Sequence, residues 1–179
     1  MNVRSRSLYY DGMQLGETGV KLLGRAILLL SVLAVAATAD AQERKLPYWA
    51  SISTGDALMR TGPERTYPAI WRYRRRDLPV KVIQIYGNWR RIREQDGTEG
   101  WMLSTLLSIK RTAVITGQFN ASMFAKPSTD APLNWQAEPG VVGNISECEA
   151  GWCLFDVGGK KGYVSYDRIW GVNPGETVE

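Results

Sequence analysis

The stretch from Gly87 to Trp101, GNWRRIREQDGTEGW, returns in weaker form from Gly151 to Tyr163 as GWCLFDVGGKKGY, which restricts the chain to folds built from two similar small units. In the first copy Trp89 to Glu94 is a β-favouring run, Asp96-Gly97 is a hairpin-turn dipeptide, and Gly100-Trp101-Met102-Leu103 resumes extended chain. In the second, Gly158-Gly159 stands for Asp96-Gly97 and Gly162-Tyr163-Val164 for Gly100-Trp101-Met102. Upstream, Tyr67-Pro68-Ala69-Ile70-Trp71 aligns with Ala131-Pro132-Leu133-Asn134-Trp135, and Leu58-Met59-Arg60 with Met123-Phe124-Ala125. Three anchors in one order, at a period of roughly sixty residues, mark a duplicated β domain.

A unit of that size buries only about 60% of the surface its unfolded chain exposes, so each copy needs staples or partners. All seven Trp (49, 71, 89, 101, 135, 152, 170) lie in the repeats or at their edge. The chain has no His, which excludes Ser-His and Cys-His catalysis and imidazole metal ligation. Its net charge of +4 is unevenly spread: residues 49–111 carry 12 Lys+Arg against 6 Asp+Glu, and residues 112–179 carry 4 against 8. A basic repeat is thus joined to an acidic one, either because the halves attract each other or because the basic half meets an anionic partner.

Residues 20–41, VKLLGRAILLLSVLAVAATADA, have a basic start, an apolar core from Ala26 to Ala37 and an A-x-A site at Ala39-Asp40-Ala41. They read as a secretory signal peptide, helical in its apolar core and cut between Ala41 and Gln42. The apolar run falls short of the about 20 residues a spanning helix needs, and no Cys follows the cut to carry a lipid anchor. Residues 1–19 are polar and add nothing a signal requires, so Val20 is a candidate true start. Residues 42–48 form a polar lead, 49–111 the first domain, 112–172 the second and 173–179 a tail.

Within the first domain the expected strands are Ala57 to Arg60, Ile70 to Tyr73, Val80 to Tyr86 and the two of the hairpin, after which Leu106 to Arg111 closes the domain. A long Gly/Pro/Thr loop runs from Thr61 to Pro68, and the apolar phase shifts between Val82 and Ile83 as at a bulge. Five short strands, one long early loop and tight later turns describe a small curled barrel. ALMRTGPERTYPAIWRYRRRDLPVKVIQIYGNWRRIREQDGTEGWM resembles a bacterial SH3-like domain through R-x-G-P, Tyr67-Pro68, Pro79-Val80, Asn88-Trp89 and Asp96-Gly97-x-x-Gly100-Trp101. Residues 118–172 resemble it more weakly, with Lys126-Pro127 at the Gly62-Pro63 position and Tyr163 in place of the second Trp. Ile169-Trp170-Gly171 is similar to the end of the second domain in exported tandem-SH3 proteins of largely unassigned function. The expected fold is all-β: two tandem SH3-like barrels behind a signal peptide.

If Ile92 faces the core, then Trp89, Arg91 and Arg93 face outward, because alternate strand side chains point to opposite sides. Trp152, opposite in phase to Phe155, is the counterpart of Trp89. An outward Trp beside a loop carrying Tyr67 resembles the aromatic peptide groove of SH3 domains. It can equally be the lid of a barrel too small to bury its aromatics. Trp71, Trp101 and Trp135 are expected in the core or half-buried. The candidate ligand contacts are Tyr67, Trp89, Arg91, Arg93, Trp101 and Trp152. Arg74 to Arg76, with Arg90, Arg91 and Arg93, make a basic cluster that is either a solvated face or a seat for carboxylates and phosphates.

Cys148 and Cys153 fall on facing strands of one hairpin, at positions equivalent to Ile85 and Arg90, and are expected to form a structural disulfide. No paired carboxylates, metal motif, phosphate loop or nucleophile elbow is present, so no catalytic residue, metal or cofactor is assigned. The chain reads as an exported, periplasmic, non-enzymatic module that binds cell-envelope peptides or peptidoglycan, wall binding being implied by the family resemblance alone; nucleic acid is disfavoured by export. The alternatives are a structural or regulatory partner of an envelope enzyme, with the acidic repeat meeting the basic one, and an envelope hydrolase working through carboxylates.

Overall fold

Alternation of apolar and polar residues, broken by glycine turns, sets out the same sheet twice. In the computed structural model, which describes residues 44–178 as one compact unit, the first seven strands are β1 (Tyr48–Ile52), β2 (Ala57–Arg60), β3 (Ala69–Tyr73), β4 (Pro79–Tyr86), β5 (Trp89–Arg93), β6 (Glu99–Leu103) and β7 (Leu107–Ser108). Their order across the sheet is β3-β2-β6-β5-β4-β1-β7. The second set is β8 (Thr112–Ile115), β9 (Ala121–Phe124), β10 (Leu133–Ala137), β11 (Val142–Glu149), β12 (Trp152–Val157), β13 (Lys160–Ser165) and β14 (Ile169–Trp170), in the order β10-β9-β13-β12-β11-β8-β14. The two orders are the same, so the duplication holds at the level of topology. The expected signal peptide, with Ala41 and Gln42 at its cut, lies outside the described residues.

Each sheet curls around its own core. Ile52, Met59, Val82, Ile92 and Met102 fill the first, and Ile115, Met123, Phe155 and Val164 the second. The phase shift expected near Val82 is a bulge: the register between β4 and β5 slips between Val82 and Gln84. Gly100 and Gly162 hold equivalent sites where β6 and β13 cross onto β2 and β9; a Cβ would meet Met59 Cγ at 2.5 Å in one barrel and Met123 Cβ at 2.6 Å in the other. That close approach is why G-x-x-G-W and G-K-K-G-Y keep the glycine before the aromatic.

Four expectations are corrected. Two further strands per barrel, β1 and β7 in the first, flank the five read from sequence, because their pairing partners lie far along the chain. Met123, not Phe124, is the counterpart of Met59, since Phe124 pairs with Tyr163 as Arg60 pairs with Trp101; the upstream anchor is therefore Ser122-Met123-Phe124. Trp71 is 59% exposed, although Trp101 and Trp135 are half-buried as expected. Residues 173–178 do not trail away: Val178 pairs with Cys148 through N–H···O bonds of 2.9 and 3.1 Å, and Val172 and Val178 belong to the second core.

The two barrels meet through aromatic edges. Trp49, buried at 5% exposure, stands edge-on to Trp170 with centroids 4.9 Å apart. Lys81 Nζ lies 5.1 Å from the Trp49 ring and donates to Asn173 Oδ1 at 2.7 Å. Arg75 donates to the Gly140 carbonyl at 2.9 Å, and Arg111 of the linker pairs with Glu176 at 2.6 Å. Among the described residues no ion pair joins β1–β7 to an acid of the second barrel. Arg111, the last residue of the basic half, and Glu176 of the acidic half form the one ion pair between the halves among the described residues, so opposite charge and indole packing both contribute to the junction.

Candidate binding groove

The outward face of the first barrel is set by cross-strand pairs: Leu58↔Arg72, Arg60↔Trp101, Trp89↔Leu103, Arg91↔Trp101 and Arg93↔Glu99. Alternation puts Ile92 inside at 0% exposure and leaves Trp89 half-buried on this face, as its phase predicts. Trp89, Leu58, Leu103 and Leu106 floor an open groove of about 350 Å³. Its rim is charged, with Asp56, Arg60, Arg65 and Arg72 around the apolar floor.

The rim side chains differ in what they are free to do. Arg72 makes a two-point pair with Asp56, Nε to Oδ1 at 2.7 Å and Nη2 to Oδ2 at 2.6 Å, and this hydrogen bonding holds the Asp56 carboxyl below the usual carboxylate range. Arg60 donates to the Tyr67 carbonyl at 2.7 Å, tying down the long loop. Gly62 lies under the Tyr67 ring, where a Cβ would come within 2.5 Å of it. R-x-G-P followed by Tyr67-Pro68 is thus a device for shaping the loop, closed by Thr61 N–H on the Pro68 carbonyl at 3.1 Å. Arg65 has no hydrogen bond or ion pair among the described residues.

The candidates divide accordingly. Trp89 floors the groove. Tyr67 stays 43% exposed but has one ring face on Gly62. Arg91 and Arg93 lie outside the groove, both on Glu99, at 2.8 and 2.7 Å. Trp101 also lies outside it, edge-on to Tyr86 at 6.5 Å. The residues sequence reasoning missed are Leu58, Leu103, Leu106, Asp56, Arg60, Arg65 and Arg72. Ala57-Leu58-Met59 is apolar throughout, so alternation does not mark which of its residues faces in; Met59 does, at 1% exposure.

In the second barrel the same place is closed. Phe124, at the Arg60 position, stands edge-on to Trp152 at 5.8 Å. Ser122 and Ser165 replace Leu58 and Leu103, and Arg168 at the Leu106 position donates to the Phe119 carbonyl at 2.6 Å. Two changes around the loop go together: with Ala131 in place of Tyr67 there is no ring to accommodate, and Lys126 can stand where Gly62 did. Below Trp152 the Cys148–Cys153 disulfide, both cysteines fully buried, joins β11 to β12 beside a bulge at Glu147. Glu147 there takes a 2.7 Å hydrogen bond from Tyr163 Oη, which raises the Tyr163 pKa. Other acids serve local backbone: Asp96 accepts from Thr98 N at 2.8 Å and Asp156 from Gly159 N at 2.7 Å.

Two small curled barrels of one topology, one carrying an open amphipathic groove and the other closed by its own phenylalanine, define a tandem SH3-like protein. The family model for the bacterial SH3 domain matches twice, over residues 54–108 and 118–171, and the chain belongs to that family. No curated protein matches it. Among solved structures it is similar to NlpC2 from Trichomonas vaginalis, at 13% identity and a TM-score of 0.31, over 72% of this chain and 49% of that one. An NlpC/P60 family protein from Bacillus cereus ATCC 10987 matches at 11% identity and a TM-score of 0.31, over 68% of this chain and 55% of that one. The chain thus spans about half the length of these structures.

Proposed function

We propose that this is an exported, non-enzymatic binding protein whose first barrel holds an extended, carboxylate-bearing peptide of the cell envelope. The observation that carries the reading is the groove itself: an indole and three leucines form an apolar floor, and arginines stand at its edge. Such a floor takes the apolar side of an extended chain while a guanidinium takes a carboxylate. Arg65, with no partner among the described residues, is the side chain that meets the carboxylate, because Arg72 and Arg60 already have acceptors. Export rests on residues 20–41 and their A-x-A site.

The test is co-sedimentation of the chain from Gln42 onward with purified sacculi at low and high salt. Wild type pellets, and pelleting falls as salt rises because a charged contact contributes. Trp89→Ala stays in the supernatant. If wild type and Trp89→Ala behave alike, the groove is not the wall site. A lytic assay on the same sacculi is expected to show no release of soluble fragments; release would replace the binding reading with a hydrolytic one.

A further inference from the structure

The duplication supplies an internal control for the edge strand β3. β3 and β10 end their sheets and are hydrogen-bonded on one side only, to β2 and β9. Trp71 and Trp135 occupy the same place in them, opposite the buried Met59 and Met123. In β10 the indole is drawn back onto its own barrel. Trp135 Nε1 donates to the Lys161 carbonyl at 2.9 Å, Lys160 Nζ lies 4.9 Å from the ring, and the Phe155 ring lies 6.5 Å away. Two of those supports are side chains that the first barrel lacks, with Ile92 and Thr98 at the Phe155 and Lys160 positions, and the Trp71 side chain makes no hydrogen bond among the described residues. Trp71 is left 59% exposed beside Ile70 at 44%.

Two more differences separate the edges. Among the described residues the backbone of Ala69–Tyr73 bonds only toward β2, so its outer N–H and C=O groups are free to pair. β3 carries Arg72 and runs into Arg74-Arg75-Arg76, whereas β10 has Gln136 and runs into Glu138-Pro139-Gly140. Arg72 is held by Asp56 and Arg75 by Gly140, while Arg74 and Arg76 have no ion pair among the described residues. An unpaired edge beside exposed large apolar side chains is what folded proteins usually blunt; here the register slips at Ile70, but Trp71–Tyr73 pair regularly with β2, and three arginines follow before Asp77, which is held by Lys110.

We infer that β3 is a docking edge for an extended acidic segment of another polypeptide. The segment adds as a further strand beside β3, seats an apolar side chain against Trp71, and sets its carboxylates against Arg74 and Arg76. The edge shares Arg72 with the rim of the groove that Trp89 floors, but Ile70, Trp71, Arg74 and Arg76 do not line that groove, so the inference does not depend on wall binding.

The probe is an eight-residue peptide alternating Glu and Val, with blocked ends, beside its Lys and Val counterpart, added to the chain from Gln42 onward. Amide exchange is expected to slow at Ala69–Tyr73 with the acidic peptide and not with the basic one. Trp71→Ala weakens binding about tenfold, and Arg74→Glu with Arg76→Glu removes it. Trp89→Ala leaves it unchanged while abolishing sacculus pelleting, so the two readings fail separately. Since Trp71 is exposed, its variant keeps the wild-type fold, which near-ultraviolet circular dichroism checks. No binding of the acidic peptide, equal binding of the basic one, protection elsewhere than β3, or an unchanged affinity in Trp71→Ala overturns the inference. So does a dimer in sedimentation that protects β3 without peptide, which would make a second copy the occupant.

Discussion

Gly62 shows how far one hydrogen atom can shape a loop. With the Tyr67 ring within 2.5 Å of any Cβ placed there, Gly62→Ala drives the ring away and loosens the loop that Arg60 holds by its 2.7 Å bond to the Tyr67 carbonyl. The expected cost is about 1–3 kcal/mol, read from the urea midpoint. The two residues share one contact, so Gly62→Ala with Tyr67→Ala should cost less than the sum of the single variants. The second barrel already carries this combination as Lys126 with Ala131. The R-x-G-P pattern was visible in the sequence, but its work was not, because nothing in one dimension shows a ring lying over a glycine. Trp71 is the opposite case: a large aromatic in a tiny domain was expected inside, and of the two equivalent tryptophans it is Trp135, with the Lys161 carbonyl and Phe155 to hold it, that meets the expectation.

The two hairpins use different turns for one purpose. Between β5 and β6 the loop bends through Glu94 to Thr98, with Gly97 at φ +88°, whereas Gly158 and Gly159 make a two-residue turn with φ at +62° and +93°. These turns and the strands around them were legible because glycine, parity and β-propensity all act locally; β7 and β14, two residues each and paired with β1 and β8, were not. The first turn carries a pH signature. Burial, with the Asp96 charge beside it, raises the Glu94 pKa above its ordinary 4.5, and Glu94 Oε1 is buried without a protein partner. A raised carboxyl means that the folded state binds the proton more readily than the unfolded state. The charge therefore opposes folding at neutral pH, and this opposition is relieved as pH falls through the folded pKa. Glu94→Gln should raise the melting temperature at pH 7, by a gain under about 1 kcal/mol after solvent screening, and the advantage should vanish below the ordinary carboxylate pKa. In the second barrel the disulfide closes a short loop, five residues apart in sequence, so Cys148→Ser with Cys153→Ser is expected to cost about 2 kcal/mol. The loss should appear in the exchange of β11 and β12 amides before those of β4 and β5.

For the whole molecule, what matters is that the barrels are not beads on a string. Only Ile109, Lys110 and Arg111 separate β7 from β8, and Arg111 spans the join, pairing with Glu176 at 2.6 Å and donating to the Gly171 carbonyl at 2.9 Å. The Trp49 and Trp170 rings meet 4.9 Å apart between the two cores. The sequence placed both tryptophans at repeat edges but could not show that they find each other, because such a contact depends on how the halves are set. A large indole contact between two units, each too small to be stable alone with comfort, makes each barrel part of the other's support. Unfolding of the wild type is then expected as one calorimetric transition. Trp170→Ala removes the partner of a nearly buried Trp49, and since Trp170 is itself half-buried the cost falls near the lower end for aromatic truncation, about 3 kcal/mol. The loss belongs to the join, so the single transition should split in two, the later one belonging to the disulfide-bearing barrel and moving down on reduction. Groove binding measured with sacculi should persist in Trp170→Ala below the first transition, because Trp89 and its leucines are all in the first barrel. One unshifted transition in the variant would show that the indole contact does not couple the barrels, and the three-residue linker with Arg111 would then be the element that does.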